Sequence, residues 1–387
     1  MENFTYCTPT KLIFGKGAVD KLAAELAPFG KRVLLTYGGG SIKSIGLYDE
    51  VLRQLDGFEV VELSGIEPNP KYTTSVLEGV RLCKAHHIDV VLAVGGGSVL
   101  DCSKAICAGA LYDGEPWDLI TYRVKAKAAL PLVDILTLAA TGSEYDSGCV
   151  ISRTETNDKV GYLDELLFPK VSFLDPRYTF SVSKKQTAAG AADAINHIME
   201  QYFCGAHSDL ADGMCESAIK SLIKNARIAL REPDNYAARG EFMVDCSLAC
   251  NGILSIGNSY SGWPCHGMEH ALSAYYDITH GEGLAILTPC WMAHILNDDT
   301  IERFVRFGVN IFGIDAALPE AEIAQETIRA VYALFESFGM PMHLREVGID
   351  ESRLSEMAHH IAENEGLDKA WAPLTEADIL AILQASL

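Results

Sequence analysis

Between Lys31 and Ser143 the chain repeatedly sets a short run of Val, Ile and Leu ahead of an amphipathic stretch. The pattern reads "KRVLLTYGG" then "GLYDEVLRQLD", "FEVVELSG" then "TTSVLEGVRLCKAHH", "IDVVLAVGGGS" then "VLDCSKAICAGALY", and finally "LVDILTLAATGS". Apolar runs without polar alternation, each followed by a helix, predict parallel strands covered on both faces. From about Gln186 the pattern changes. "QTAAGAADAINHIMEQYFC", "LADGMCESAIKSLIKNARIAL", "AARGEFMVDCSLACNGIL" and "AEIAQETIRAVYALFESFG" carry apolar residues at three- and four-residue steps, the period of a helix with one buried face. No strand-like run follows "KVSFLD". The expected fold class is therefore an α/β N-terminal domain with a dinucleotide-binding parallel sheet, residues 1–183, and an all-α C-terminal domain, residues 184–387. The boundary falls near "DPRYTFSVSKKQ", where Pro176 interrupts the pattern.

A length of 387 residues allows two cores of ordinary size. The formal charge of −21 argues against a nucleic-acid partner or an anionic membrane surface. No signal peptide and no membrane-spanning run are visible. Eleven cysteines without a CxxC pair fit reduced thiols, and a cytoplasmic location is expected.

Two strand ends are rich in glycine. In "AVGGGSVLD" the glycines at 95, 96 and 97 close a strand, Ser98 takes a helix N-cap position and Asp101 the first turn. Free N–H groups at such a helix start can hold a pyrophosphate, and Asp101 could accept a ribose hydroxyl. One such turn is as readily a plain connection; a second, "TYGGGSIK", shifts the balance towards a nucleotide across the carboxyl edge of the sheet. Gly39, Gly40 and Ser41, with Lys43 close by and no acid at the strand end, leave room for a 2′-phosphate and favour NADP(H). Thr137, Thr141 and Ser143 add hydroxyls at a third strand end.

Histidines carry the second signal. His266 and His270 stand i and i+4, so they share a helix face. His280 is too far along a continuous helix to join them, but Asp277, Thr279 and Gly281 can end one helix and begin another. Asp193 and His197 form a further i, i+4 pair. Each pair alone is ordinary; together, in an all-helical domain, they point to a metal site.

Taken in order, "FGKGAVDKL", "EPNP", "AVGGGSVLDCSK", "TLAATGSE", "LDPRYTF", "AAGAADAINHIMEQY" and "CHGMEHALSAYYDITHGEGLAILTP" resemble the iron-containing (group III) alcohol dehydrogenases, nearest to their NADPH-dependent butanol dehydrogenase branch. The resemblance runs from about Phe4 to about Ile349. It implies a dehydroquinate synthase-like architecture, a divalent metal (Fe2+ or Zn2+) on Asp193, His197, His266 and His280, and a non-ligating, proton-passing role for His270. It also implies a cofactor lined by Gly39, Gly40, Ser41, Asn69, Gly96, Gly97, Ser98, Asp101, Thr137, Thr141, Ser143, Lys159 and Tyr178. The implied activity is reversible hydride transfer between NADP(H) and a small primary alcohol or aldehyde such as butanol or butanal, in a homodimer. The alternatives are a glycerol dehydrogenase-like or dehydroquinate synthase-like enzyme of the same fold, or a non-catalytic nucleotide sensor.

Overall fold

The Val- and Leu-rich runs become the strands of one parallel sheet in a computed structural model that describes residues 1–387. Its strands are β1 (Lys11–Phe14), β2 (Arg32–Tyr37), β3 (Glu59–Leu63), β4 (Val90–Gly95) and β5 (Leu132–Leu136), with β8 (Val171–Leu174). The order across the sheet is β1-β8-β5-β4-β2-β3, and every pairing is parallel. All residues of β4 and β5 are buried, whereas the edge strands β1 and β3 are half exposed. One face packs Val33, Leu35, Leu92, Val94, Ile135 and Phe173 against Val19, Leu22, Leu26, Leu47 and Val51. Each such buried side chain contributes roughly 1.5–3 kcal/mol of transfer free energy.

The strand order fixes where a ligand can lie. The chain leaves β2 for β3 on one side and returns to β4 on the other, so the winding reverses between β2 and β4. Crevices at the carboxyl ends of strands open at such a reversal. Tyr37 is in register with Val94, which sets the two glycine turns side by side.

The helices are α1 (Leu22–Leu26), α2 (Ser41–Ser44), α3 (Leu47–Gln54), α4 (Leu77–His86), α5 (Gly97–Ala110) and α6 (Trp117–Ile120), then α7 (Lys184–Tyr202), α8 (Asp209–Arg231), α9 (Tyr236–Ala249), α10 (Pro264–Tyr276) and α11 (His280–Ile295), and last α12 (Ile301–Phe307), α13 (Glu320–Ser337), α14 (Leu354–Asn364) and α15 (Glu376–Ala385). None is long and apolar enough to cross a membrane. All eleven cysteines are free.

Two units emerge: Cys7–Val182 with Glu232–Asn251, and Met1–Tyr6 with Ser183–Arg231 and Gly252–Leu387. The expected division at 183/184 thus needs two amendments. Helix α9 belongs with the sheet, because Ser247 Oγ donates to Glu144 and Gly142 leaves room for the Cys246 carbonyl. The first six residues belong with the helices, where Glu2 N donates to Gly257 O at 2.7 Å. A second departure is an antiparallel hairpin, β6 (Gly148–Arg153) and β7 (Asp158–Leu163), which the helix-strand alternation did not suggest.

Within the helical unit α7 is the central element: every residue from Thr187 to Tyr202 is buried. A helix buried on all sides is normally apolar, yet this one buries Asp193, Asn196, His197, Glu200 and Gln201. Such groups persist inside a core only with partners.

Candidate metal centre and nucleotide turns

Helices α10 and α11 meet through a reversal rather than a continuous rod. Asp277, at φ 52°, ends α10 in the left-handed region, and His280 opens α11 two residues after Ile278. Gly281 then lets α11 lie against α7, since a Cβ there would stand 2.1 Å from the Ala189 carbonyl oxygen. That approach carries His280 to Asp193.

Asp193 Oδ1 is the common point. It lies 3.3 Å from His197 Nε2, 3.7 Å from His280 Nε2 and 3.8 Å from His266 Nε2. The ligand atoms of Asp193, His266 and His280 all fall within 4.8 Å of one another, and the His197 ring stacks on His266 at 4.7 Å. Asp193 Oδ1 and His266 Nε2 are buried without a hydrogen-bond partner. One carboxylate and three imidazoles, deprotonatable donors of the types a divalent metal takes, converge on one buried point, so this donor set fits such a metal. Burial would raise the Asp193 carboxyl, but His197, His266 and His280 hold it well below the usual carboxylate range. Burial pushes His197 down to about 3 against the pull of Asp193. Burial opposes charge on His266 too, yet Glu200 and Asp193 raise it to about 9.

His270 lies at the rim, half exposed, with its ring stacked near His280 at 5.9 Å and edge-on to His266 at 6.5 Å. Glu269, His270 and His280 form a second close donor group, but the His280 nitrogen nearest Glu269 is Nδ1, the one that faces away from Asp193. Two residues here went unread in the sequence. Glu200 and Glu269 are fully buried and bind His266 Nδ1 and His280 Nδ1. The signal was a repeated H-x-x-E, His197 to Glu200 and His266 to Glu269.

The nucleotide turns differ from one another. At Gly39 and Gly40 a Cβ would meet nothing within 4 Å, and Gly40 stands at φ 104°. At Gly96 and Gly97 the protein itself needs glycine: a Cβ would come within 2.9 Å of Leu138 and 2.5 Å of Thr141 Oγ1. Thr137 N donates to Gly95 O at 2.9 Å, which ties the ends of β5 and β4. Lys43 turns back over the Tyr48 and Tyr37 rings, at 4.5 and 5.1 Å. Ser98 is not the N-cap as expected; Gly96 is, because its extended backbone (φ −92°, ψ −171°) starts α5 two residues earlier than the serine allows. Asp101 accordingly lies beyond the first turn and looks inward, accepting from Ser143 Oγ at 2.6 Å and Val150 N at 2.9 Å. Burial raises it to about 6.

Asn69 adopts φ 48° beside Pro70, whose carbonyl accepts from Ser152 of the hairpin. Lys159 is buried on β7 opposite Ser152. Tyr178 stands apart, its ring in the sheet core and its hydroxyl donating to Glu50 Oε2 at 2.9 Å.

Beneath these turns Lys104, wholly buried, donates to Asp146 Oδ1 at 2.7 Å and Gly148 O at 2.7 Å. Burial lifts neighbouring Glu144 to about 7, with Ser247 opposing. A carboxyl raised in the fold stabilises it below the unfolded value and loses that contribution as pH rises through 7. Glu144→Gln should therefore gain about 3 kcal/mol over wild type at pH 8, seen as a Tm several degrees higher, and little at pH 5. Equal shifts at both pH values in thermal unfolding would contradict this.

Comparison with known proteins gives consistent matches over the whole chain. The sequence family "Iron-containing alcohol dehydrogenase" matches residues 9–176, and "Fe-containing alcohol dehydrogenase family, C-terminal" matches residues 187–387. NADH-dependent butanol dehydrogenase A of Clostridium acetobutylicum is 48% identical, covering 100% of both chains. NADPH-dependent aldehyde reductase YqhD of Escherichia coli is 36% identical, covering 94% of each. The crystal structure of NADH-dependent butanol dehydrogenase A from Thermotoga maritima superposes with a TM-score of 0.95 at 38% identity, over 100% of this chain and 99% of that one.

Proposed function

The chain belongs to the iron-containing alcohol dehydrogenase family, and from that premise we propose that it interconverts small aldehydes such as butanal and their primary alcohols, with NADP(H) as redox partner and Fe2+ or Zn2+ held by Asp193, His197, His266 and His280. Membership makes it an oxidoreductase of the alcohol dehydrogenase type, with a divalent metal and a nicotinamide cofactor. The observation that carries the rest is the meeting of one carboxylate oxygen and three imidazole nitrogens between helices α7, α10 and α11.

Reduction adds a hydride at carbon and a proton at oxygen, so that R–CHO, NADPH and one proton give R–CH2OH and NADP+. Bound cofactor and cation supply the hydride and Lewis-acid polarisation of the carbonyl. The protein's own part is alignment and proton handling. Asp193 and the three imidazoles would hold the cation; Gly39, Gly40 and Ser41 would leave space at the adenosine end; Gly96, Gly97 and Ser98 would present helix-start amides to the pyrophosphate. His270, at the rim of the cluster, holds the proton for the product oxygen.

The relatives' names divide over the cofactor, NADH-dependent for the one from Clostridium and NADPH-dependent for YqhD. Our choice of NADP(H) rests on the turn: Thr36–Ser44 contains no acid, and the space over Gly39 and Gly40 is open. Gly39→Asp should set a carboxylate against the 2′-phosphate and shift the NADH-over-NADPH ratio of kcat/KM by roughly 100-fold. An unchanged ratio would move the 2′-position elsewhere.

A homodimer, for which exposed Phe4, Tyr6 and Phe14 near the N-terminus offer apolar surface, and a cytoplasmic location complete the reading. The decisive experiment follows NADPH absorbance with butanal, before and after chelation and on return of Fe2+ or Zn2+. No consumption by the metal-loaded protein would favour the non-catalytic sensor, and turnover only with glycerol and NAD a glycerol dehydrogenase-like enzyme.

A further inference from the structure

The three imidazoles of the cluster are not held alike. Glu200 of α7 reaches Nδ1 of His266 on α10, and Glu269 of α10 reaches Nδ1 of His280 on α11. His197 Nδ1 is buried without a partner. Each glutamate stands three residues beyond a clustered histidine on its own helix, yet serves the histidine of the next helix. The pair thus braces α7 to α10 and α10 to α11.

Both carboxylates are built into place. Glu200 Oε1 accepts from Cys265 N at 2.6 Å and Oε2 from His266 N at 3.3 Å, the open amides at the start of α10. Glu269 takes the Ser273 hydroxyl, and Gly283 of α11 makes room for it: a Cβ there would stand 2.7 Å from Glu269 Cγ. An imidazole that offers its Nε2 lone pair to a cation carries its proton on Nδ1, and an acceptor at Nδ1 fixes that tautomer. Charge matters as well. A dication with Asp193 alone would leave a site of +1; two more buried carboxylates behind the imidazoles bring it to −1.

We infer that Glu200 and Glu269 are positioning residues that lock the ligating tautomers of His266 and His280 and, through their charge, make the loaded site favour uncharged aldehydes over carboxylate-bearing ones of equal length. The substrate half of this rests on the proposed aldehyde reductase function; the metal half does not.

The test uses the full chain as Glu269→Gln, which keeps size and an acceptor oxygen but removes charge, with Glu269→Ala and Glu200→Gln beside it. Zn2+ affinity measured against a competing chelator should fall about tenfold in both Gln variants and about 100-fold in Glu269→Ala. The d–d absorption of the Co2+-loaded Glu269→Ala protein should shift, which a remote packing defect would not cause. The kcat/KM ratio of butanal to 4-oxobutanoate should fall roughly tenfold in the Gln variants, because the repulsion of the second carboxylate is relieved. Unchanged Zn2+ affinity in Glu269→Ala and Glu200→Gln would overturn the positioning role. Weakened affinity with an unchanged substrate ratio would overturn the charge role. Weakened affinity in proteins that reduce no aldehyde would support the positioning role while the proposed function fails.

Discussion

Asp193→Asn is expected to leave a folded protein that binds almost no metal and reduces butanal about 1000-fold more slowly, or slower still. Asparagine matches the size of aspartate, so the helical core has no cavity to absorb. What is lost is the only anionic donor in a cluster whose other members are imidazoles. Three nitrogens within 3.8 Å of Asp193 Oδ1 would then face a neutral amide, and a dication would lose the one carboxylate oxygen that faces it directly. Metal analysis of purified protein and initial rates with NADPH check the two halves separately. Wild-type metal content in this variant would remove Asp193 from the donor set.

His270→Ala should slow turnover by roughly 100-fold while leaving metal content intact, the loss usual for a proton-transfer group. The structure offers two overlapping donor groups, Asp193/His266/His280 and Glu269/His270/His280, and they make opposite forecasts for this variant. Glu269 is already committed to the Ser273 hydroxyl and to His280 Nδ1, and His280 Nε2 is the atom turned to Asp193. We therefore assign the cation to the first group and keep His270 outside it. Metal loss with activity in His270→Ala would reverse this assignment. Added imidazole should restore part of the rate, because His270 is half exposed at the rim.

Much of this arrangement was legible before any coordinates. Runs such as "VVLAV" are apolar at every position, which only a strand covered on both faces tolerates, and β4 is buried throughout. The Asp193/His197 and His266/His270 spacings place polar pairs on helix faces by geometry alone. Other features left weaker traces. The β6–β7 hairpin has strands of mixed polarity, "GCVISR" and "DKVGYL", joined through Asn157 at φ 53°, a turn hidden among polar residues. The period of α9 announced a buried face without saying that Glu144 and Gly142 would meet it. Ser98 looked like a cap because serine usually is one, but Gly96 reached the required backbone first.

The sequence by itself determined five of the six strands of the parallel sheet and the long helices, that a sheet-based half precedes a mainly helical one, and which side chains could carry metal and nucleotide chemistry. Periodicity and residue type are local properties, and those conclusions need nothing more. Tertiary structure alone decided that β2 and β4 are neighbours, that His280 returns to Asp193, and that Glu200 and Glu269 stand behind the imidazoles. Each depends on a close approach between segments far apart in the chain, such as Gly281 against Ala189 or Gly283 against Glu269. A glycine in a row of letters does not say what it makes room for.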